Sequence, residues 1–306
     1  MTSIRYVICD LDGVVWNGDS FIAGSVEAIT QLQRGGASVW FVTNNSNKPS
    51  SHYVQRLSDA GVDQAHQLLT SAQAAATLIE CDERVLICAG PGVEQAVSEA
   101  GGAPIANTED AVGERIDAVI VGLHTEFDYR RLDRAARAVR SGARLIGTNS
   151  DTTFPTATGE APGGGAILAA VEAAAGRKAL LAGKPHAPMA AAVAERVGPE
   201  FLPENAVMIG DRYSTDGRFA AGLGCRFIAV SSGVKPDDED VVVVLCAMMS
   251  AQSTTFVERV EAATTPVVND RATTTTTLDN GWSKESFMVS KESTNWQSDP
   301  SYRKMA

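Results

Sequence analysis

The sequence predicts an α/β protein built on a parallel sheet. Three observations lead to this prediction. Short apolar runs recur along the chain, amphipathic helical patterns separate them, and the helices are long enough to connect one parallel strand to the next. The alternation extends from Tyr6 to about residue 233 of the 306-residue chain.

Each predicted strand is a short run of mostly apolar residues, several of them ending in small or polar residues. In chain order the predicted strands are YVIC (6–9), SVWFVTNNS (38–46), RVLICAG (84–90), DAVIVGL (117–123), ARLIGTN (143–149), KALLAGKP (178–185), AVMIGDR (206–212) and CRFIAVSSG (225–233).

The predicted helices carry apolar residues at helical spacing, as Val26, Ile29 and Leu32 do in the first one. Glycines such as Gly35 and Gly36 end them, and serine or threonine begins several. In chain order the predicted helices span 23–36, 50–61, 70–79, 91–102, 128–142, 163–176 and 214–224.

Length and composition limit the classes of protein to which the chain can belong. A chain of 306 residues predicts about two domains. The net charge of -11 argues against a nonspecific nucleic-acid-binding protein, because no basic surface is implied. We find no signal-peptide pattern and no apolar run long enough for a membrane span, so a cytoplasmic enzyme is expected. The 5 cysteines are scattered and odd in number, which indicates reduced thiols.

Polar residues, most of them aspartates and asparagines, follow four of the predicted strands. Because the carboxyl ends of parallel strands form the ligand-binding edge of such a sheet, we expect these residues to meet. They are Asp10 and Asp12 after the first strand, Thr43, Asn44 and Asn45 after the second, Lys184 after a later one, and Asp211 with Asp216 after the seventh.

Burying several carboxylates is costly unless a cation compensates them. A hard divalent cation such as Mg²⁺ prefers oxygen ligands, so the side chains of Asp10 and Asp211 and the carbonyl of Asp12 are candidate ligands. Lys184 would balance charge and hold an anionic group. Thr43 and Asn44 would donate hydrogen bonds to phosphate oxygens.

The same residues predict phosphoryl-transfer chemistry. An aspartate beside a cation and a phosphoryl group is a plausible nucleophile, which makes Asp10 the candidate. Asp12 would point to the same side and could protonate a leaving alkoxide and then activate water.

The segments DLDGVVW, TNNS, GKP and GDRYSTD, in this order, resemble the four motifs of haloacid dehalogenase-type phosphatases, in the form of the NagD-like, p-nitrophenyl phosphatase-like branch. The resemblance covers about residues 4–236. It implies a Rossmann-like parallel-sheet core with an inserted α/β cap of the C2 type. The implied bounds are 1–72 and 182–250 for the discontinuous core and 73–181 for the cap.

The resemblance also implies roles for individual residues. Asp10 becomes the nucleophile, Asp12 the general acid and base, and Thr43, Asn44 and Lys184 the phosphate-binding residues. Asp10, the Asp12 carbonyl and Asp211 would bind Mg²⁺, with Asp216 supporting that site from outside the direct ligands. The loop with Asn149 and Asp151 would face the leaving group, and Asn45 would contact it or shape the turn. The expected substrate is a small phosphorylated metabolite.

Several alternatives stay open at this point. The scaffold also suits a phosphotransferase, a dehalogenase, or a non-catalytic regulator that binds a phosphorylated metabolite. Asp216 could be an ordinary residue at a helix start, and Asp151 a turn residue. A homodimer through the cap is a hypothesis. The Thr- and Ser-rich tail, 251–306, is expected to be poorly ordered and has no counterpart in the branch.

Overall fold

The computed structural model describes residues 4–111, 113–156 and 159–233. Its strands are β1 (Tyr6–Cys9), β2 (Trp16–Asn17), β3 (Ser20–Phe21), β4 (Ser38–Thr43), β5 (Leu68–Thr70), β6 (Arg84–Cys88), β7 (Ala103–Ala106), β8 (Ala118–Val121), β9 (Arg144–Gly147), β10 (Thr153–Thr156), β11 (Gly159–Pro162), β12 (Leu180–Leu181), β13 (Ala206–Gly210) and β14 (Arg226–Ala229). Its α-helices are α1 (Ser25–Arg34), α2 (Ser50–Asp59), α3 (Ser71–Ala76), α4 (Pro91–Glu99), α5 (Tyr129–Arg140), α6 (Gly164–Ala175), α7 (Ala187–Val197) and α8 (Arg218–Leu223).

The first sheet is parallel and has the strand order β14-β13-β1-β4-β5. Strand β1 lies in the middle, and its last residue, Cys9, is opposite Ile209 on one side and Phe41 on the other. Strands β13, β1 and β4 therefore end at one edge of the sheet, as the sequence predicts. Asp10 continues the ladder, because its main-chain N–H donates to the Ile209 carbonyl at 2.9 Å.

The second sheet is also parallel, with the order β12-β9-β8-β6-β7, and all of its strands come from between Arg84 and Leu181. Helices α5 and α6 pack on one face around Val121, Val139 and Leu168. A separate α/β unit inserted in the chain is thus present, as predicted. The exact domain bounds at 72/73 and 181/182 stay predictions.

Helices α3, α4 and α7 form an apolar layer that contacts both sheets. Its cluster of buried residues joins Ile8 and Met208 of the first sheet to Ile120 of the second through Ala75 and Val193. Each of these side chains is almost completely inaccessible to solvent. Burial of apolar surface of this kind stabilises a fold by about 25 cal/mol per Å². The layer therefore holds the inserted unit against the core and fixes the two sides of the cleft.

The structure contains elements that the sequence analysis does not anticipate. Helix α7, which begins at Ala187 shortly after Lys184, is not predicted, although the proline near its start and Gly198 at its end are helix signals. Two antiparallel hairpins, β2–β3 and β10–β11, are also unexpected, because two- to four-residue strands carry too little alternation to be recognised. The predicted final helix begins as a π-helical turn, Tyr213–Gly217, before α8.

Two further expectations concern the whole chain. In the part of the chain that the structure describes, every helix is too short or too polar to cross a lipid bilayer. Cys9, Cys81, Cys88 and Cys225 are free thiols, as predicted. The predicted tail (251–306), the end of the predicted core (234–250) and Cys246 lie outside the described residues.

Candidate active site

A cleft lies where the carboxyl ends of β1, β4 and β13 face the inserted unit. The first sheet and its loops contribute polar side chains, and the inserted unit contributes a loop and the β10–β11 hairpin. The lining residues include Asp10, Asp12, Thr43, Asn44, Asn45, Lys184, Asp211 and Arg212 on one side and Leu123, Asn149, Asp151, Thr153 and Phe154 on the other.

Lys184 is the buried cation of the cleft, with only 2% of its surface exposed. Its Nζ donates to Oδ1 of Asp10 at 2.7 Å and to Oδ1 of Asp216 at 2.7 Å. Burial lowers the pKa of the ammonium, but the two carboxylates outweigh this effect, and the pKa of Lys184 is raised above its usual value. Lys184 is therefore charged at neutral pH and holds both aspartates.

Asp10 lies at the bottom of the cleft and is buried. Burial raises the pKa of its carboxyl, Lys184 opposes that rise, and Asp216 and Asp211 add to it. The crowding of three carboxylates around one ammonium shows why a cation is needed there. One carboxylate oxygen from each of Asp10, Asp211 and Asp216 lies within 4.8 Å of the others.

The three aspartates of this cluster differ in their surroundings. Both oxygens of Asp216 already accept hydrogen bonds, one from Lys184 and the other from the main-chain N–H of Arg212 at 3.2 Å. Asp216 is completely buried in the π-helical turn, so it is suited to orient Lys184. This arrangement argues against its interpretation as a simple helix-start residue.

Gly13 explains how the chain turns at this point without blocking Asp211. Its φ of 86° lies in the left-handed region that glycine tolerates. A Cβ at this position would collide with the carboxylate of Asp211. A side chain there is thus excluded by both the backbone conformation and the space that Asp211 occupies.

Three donors surround the carboxylate of Asp12. The indole N–H of Trp16 donates to Oδ1 at 3.0 Å, whereas Asn45 Nδ2 and Thr43 Oγ1 lie 3.4 and 3.5 Å from Oδ2. Burial raises the pKa of Asp12, and the hydrogen bonds from Trp16 and Asn45 lower it in part. A raised pKa makes the protonated form, and hence proton donation, more accessible than in a solvated aspartate.

The side chain of Asn44 makes hydrogen bonds within the protein on both sides of the cleft. Its Nδ2 donates to Asp151 Oδ2 at 3.0 Å and to the Lys184 carbonyl at 3.0 Å, while its Oδ1 accepts from the Lys184 N–H at 2.8 Å. Both amide protons are therefore used within the protein. The phosphate-binding role of Asn44 stays a prediction, and the structure adds that its side chain links Asp151 to Lys184.

The main chain of Asn44 makes further hydrogen bonds between the two sides of the cleft. Its carbonyl accepts from Ser71 Oγ at 2.6 Å and from Asn149 Nδ2 at 2.7 Å. Ser71 begins α3, where the chain leaves the first sheet, and Lys184 follows β12, where it returns. Asn44 thus links both connections between the two sheets to the loop that carries Asn149 and Asp151.

Asp151 lies on the opposite side of the cleft, as predicted. Besides its contact with Asn44, it lies 3.9 Å from the Arg212 guanidinium, measured from Oδ1 to Nη1. Burial raises the pKa of its carboxyl, while the hydrogen bond from Asn44 and the charge of Arg212 lower it. Side chains of both residues stay about one-fifth exposed, 22% for Asp151 and 21% for Arg212.

Two participants of the site escaped the sequence analysis. Trp16 belongs to the DLDGVVW segment, four residues after Asp12, but the motif by itself assigns it no role. Arg212 follows Asp211 directly and is the second cation lining the described part of the cleft. An aromatic or basic residue adjoining a catalytic motif is the sequence signal that would have found them.

Two family models match this chain, one over the residues around β1 and β4 and the other over the residues around Lys184 and β13. A model described as haloacid dehalogenase-like hydrolase matches residues 7–103, and a related HAD-hydrolase-like model matches residues 181–263. The chain belongs to the haloacid dehalogenase-like hydrolases. Together the two matches contain all four predicted motifs and leave out most of the inserted unit.

Individual relatives place the chain among the NagD-like phosphatases within this family. Human chronophin is 32% identical over 249 residues, which cover 76% of this chain and 83% of the relative. Acid sugar phosphatase of Staphylococcus haemolyticus is 32% identical over 243 residues, 78% of this chain and 89% of the relative. The chain is a phosphatase of this family.

Solved structures also place the chain among the NagD-like phosphatases. Glycerol phosphate phosphatase of Mycobacterium tuberculosis, in complex with magnesium, matches with a TM-score of 0.68 and 30% identity, covering 76% of this chain and 69% of that one. A structure described as a putative nagD protein has a TM-score of 0.70 and 28% identity, covering 85% of this chain and 98% of that one.

Proposed function

We propose that this protein is a Mg²⁺-dependent phosphomonoesterase that hydrolyses a small phosphorylated metabolite through an aspartyl-phosphate on Asp10. The observation that supports it best is the buried cluster in which Lys184 Nζ lies 2.7 Å from both Asp10 and Asp216, with Asp211 beside them. The relative named acid sugar phosphatase and the glycerol phosphate phosphatase favour a sugar or polyol phosphate. Phosphoglycolate and nucleoside monophosphates are the other candidate classes.

The donor set fits a hard divalent cation. The cluster consists of buried carboxylate oxygens, which Mg²⁺ prefers, and its carboxylates outnumber its one ammonium group. Asp10, Asp211 and the main-chain carbonyl of Asp12 would hold the ion, since both oxygens of Asp216 already have donors. When bound, Mg²⁺ neutralises charge on the phosphoryl oxygens and offsets the aspartates.

In the first step, a carboxylate oxygen of Asp10 attacks phosphorus, and the bond between phosphorus and the ester oxygen breaks. Asp12 gives its proton to the departing oxygen, so the product leaves as an alcohol. Lys184 orients Asp10 and places positive charge beside the transferring group. Thr43, together with the main-chain N–H of Asn44, would donate to the phosphoryl oxygens.

In the second step, Asp12 accepts a proton from water while the water oxygen attacks the phosphorus of the aspartyl-phosphate. The bond between phosphorus and Asp10 breaks, and inorganic phosphate leaves. The sum is R–O–PO₃²⁻ plus water giving ROH plus phosphate. Asn149 and Asp151, with Arg212, would face the R group, and Asn45 would support Asp12.

The deciding experiment measures phosphate release from a panel of phosphomonoesters with Mg²⁺ and with EDTA. Wild type should turn over at least one substrate only with Mg²⁺, and Asp10→Asn should lose about 10³-fold or more in kcat because the nucleophile is gone. Asp63→Asn, an exposed aspartate, is the matched control and should retain full activity.

Other outcomes point to the alternatives. A folded wild type that binds Mg²⁺ without releasing phosphate from any ester favours the metabolite-binding regulator. Transfer of phosphate to an added alcohol in preference to water favours the phosphotransferase. Turnover that persists in EDTA contradicts the proposed metal dependence. Light scattering tests the predicted dimer separately, since a monomeric mass removes it.

A further inference from the structure

The indole ring of Trp16 is placed against the carboxylate of Asp12 by the local backbone. Asp12 and Trp16 form an isolated β-bridge, and the Gly13 N–H donates to the Trp16 carbonyl at 2.8 Å. This tight turn brings the side chain back toward Asp12, where Nε1 lies 3.0 Å from Oδ1. Among the residues that the structure describes, this is the shortest hydrogen bond to the Asp12 carboxylate.

Aromatic and cationic neighbours hold the ring in place. Trp16 is 1% exposed. Tyr53 stacks on it with an interplanar angle of 13° and ring centroids 6.4 Å apart, and Phe21 meets it edge-on at 5.7 Å. The Arg56 guanidinium lies 4.1 Å from the ring centroid, which is the geometry of a cation–π contact. The direction of the indole N–H is therefore fixed by packing on its faces and edge.

The chemistry of the indole distinguishes the two oxygens of Asp12. An indole N–H can donate a hydrogen bond but cannot accept one, so Oδ1 must be the acceptor. Oδ2 has only the longer contacts to Asn45 and Thr43, so it is the oxygen that the protein engages less closely and leaves available to the reacting atoms. A carboxyl group held in this way presents a single oxygen, Oδ2, to the reacting atoms.

A buried indole N–H commonly finds an acceptor simply to be satisfied. Trp40 shows this ordinary case, because its Nε1 donates to the Ser38 hydroxyl at 3.1 Å. Trp16 instead uses the carboxylate assigned to acid and base chemistry, within a cleft that Trp16 itself lines. The two tryptophans therefore provide an internal comparison.

We propose that Trp16, held by Arg56, is a positioning residue that aims Oδ2 of Asp12 at the leaving-group oxygen. The inference rests on the proposed function and deepens it. Protonation of the leaving group matters most for poor leaving groups, so the role of Trp16 should depend on the substrate. An alkyl phosphate needs the proton, whereas p-nitrophenolate leaves readily without it.

The test compares kcat/KM for p-nitrophenyl phosphate with that for the alkyl phosphate that wild type hydrolyses fastest. This parameter reports the steps up to formation of the aspartyl-phosphate. Trp16→Phe, which keeps an aromatic ring but removes the N–H, should lose about tenfold or more with the alkyl phosphate and less than about threefold with p-nitrophenyl phosphate. Trp40→Phe makes the same chemical change elsewhere and should leave the ratio of the two values unchanged.

An equal loss with both substrates, or no loss in a folded Trp16→Phe variant, overturns the inference while leaving the proposed function intact. Inactivity of the wild type toward every ester instead defeats the proposed function. Should Trp16→Phe fail to fold, Arg56→Met carries the test, because it frees one face of the ring. A selective loss of about threefold with the alkyl phosphate is then expected, and an unchanged ratio in folded Arg56→Met contradicts the inference.

Discussion

The two sides of the cleft differ in how firmly their polar groups are held. On the side of the first sheet, Lys184, Asp10 and Asp216 are buried and joined by two hydrogen bonds of 2.7 Å. On the side of the inserted unit, Asp151 remains partly exposed, and it lies 3.9 Å from the partly exposed Arg212 across the cleft. The comparison teaches that the groups around Lys184 are preorganised, whereas the partly exposed groups across the cleft remain adaptable.

This difference has an energetic reason. Buried charges are expensive to leave unpaired, so the groups around Asp10 act as one unit and tolerate little change. A partly exposed pair gains little from its contact, because water screens it. Substitutions on the first side should therefore affect stability and activity together. Substitutions on the second side should chiefly change substrate preference.

The largest effect is expected from Lys184→Met. Removal of the ammonium leaves Asp10 and Asp216 without their shared partner, so the free energy of unfolding should fall by about 3–5 kcal/mol. Activity should fall by about 10²–10³-fold because a charge beside the transferring group is lost. Chemical denaturation and phosphate release measure the two effects.

Lys178→Met is the matched control for this variant. Lys178 is a surface residue whose salt bridge to Glu172 is solvated, with 88% of the lysine side chain exposed. Its loss should change stability by about 1 kcal/mol or less. Equal effects of the two lysine substitutions would remove the contrast between a buried unit and a solvated pair.

An intermediate effect is expected from Asn44→Ala, which sharpens the comparison because Asn44 joins the two sides. Three side-chain hydrogen bonds disappear, so the free energy of unfolding should fall by about 2–3 kcal/mol. Activity should fall about 10- to 100-fold, since Lys184 and the Asp151 loop lose their common anchor.

Asn45→Ala serves as the stability control for Asn44→Ala. The Asn45 side chain makes two longer contacts, from Nδ2 to Asp12 at 3.4 Å and from the Asn47 N–H to Oδ1 at 3.2 Å, so the free energy of unfolding should fall by only about 1 kcal/mol. Urea denaturation of both variants measures the two changes in the free energy of unfolding. Similar losses at the two positions would contradict the assignment of Asn44 as the junction between the sheets.

The smallest effect is expected from Asp151→Asn, which keeps an oxygen that can accept from Asn44. We expect kcat/KM to change by about tenfold or less, with a changed order of preference among phosphomonoesters. The measurement is the substrate panel repeated on the variant, with the surface change Asp133→Asn as control. A loss as large as that of Lys184→Met would place Asp151 among the groups that carry the chemistry.

The sequence by itself determined the fold class and the chemical character of the site. Period and length of the apolar runs predict parallel strands, and parallel strands end at one edge, so Asp10, Asp12, Thr43 and Asp211 had to lie near one another. The ordered motifs then predicted the family, which the relatives confirm. Local patterns of this kind suffice because strand direction fixes which chain segments meet.

Only the tertiary structure decided how individual side chains are used. Asn44 contacts Asp151 and Lys184, which lie 107 and 140 positions away in the chain, and these contacts give its side chain a linking role that the sequence does not predict. Trp16 of β2 is held by Tyr53 and Arg56 of α2. The direction of a side chain depends on close packing among distant residues, and no periodicity or spacing records that packing.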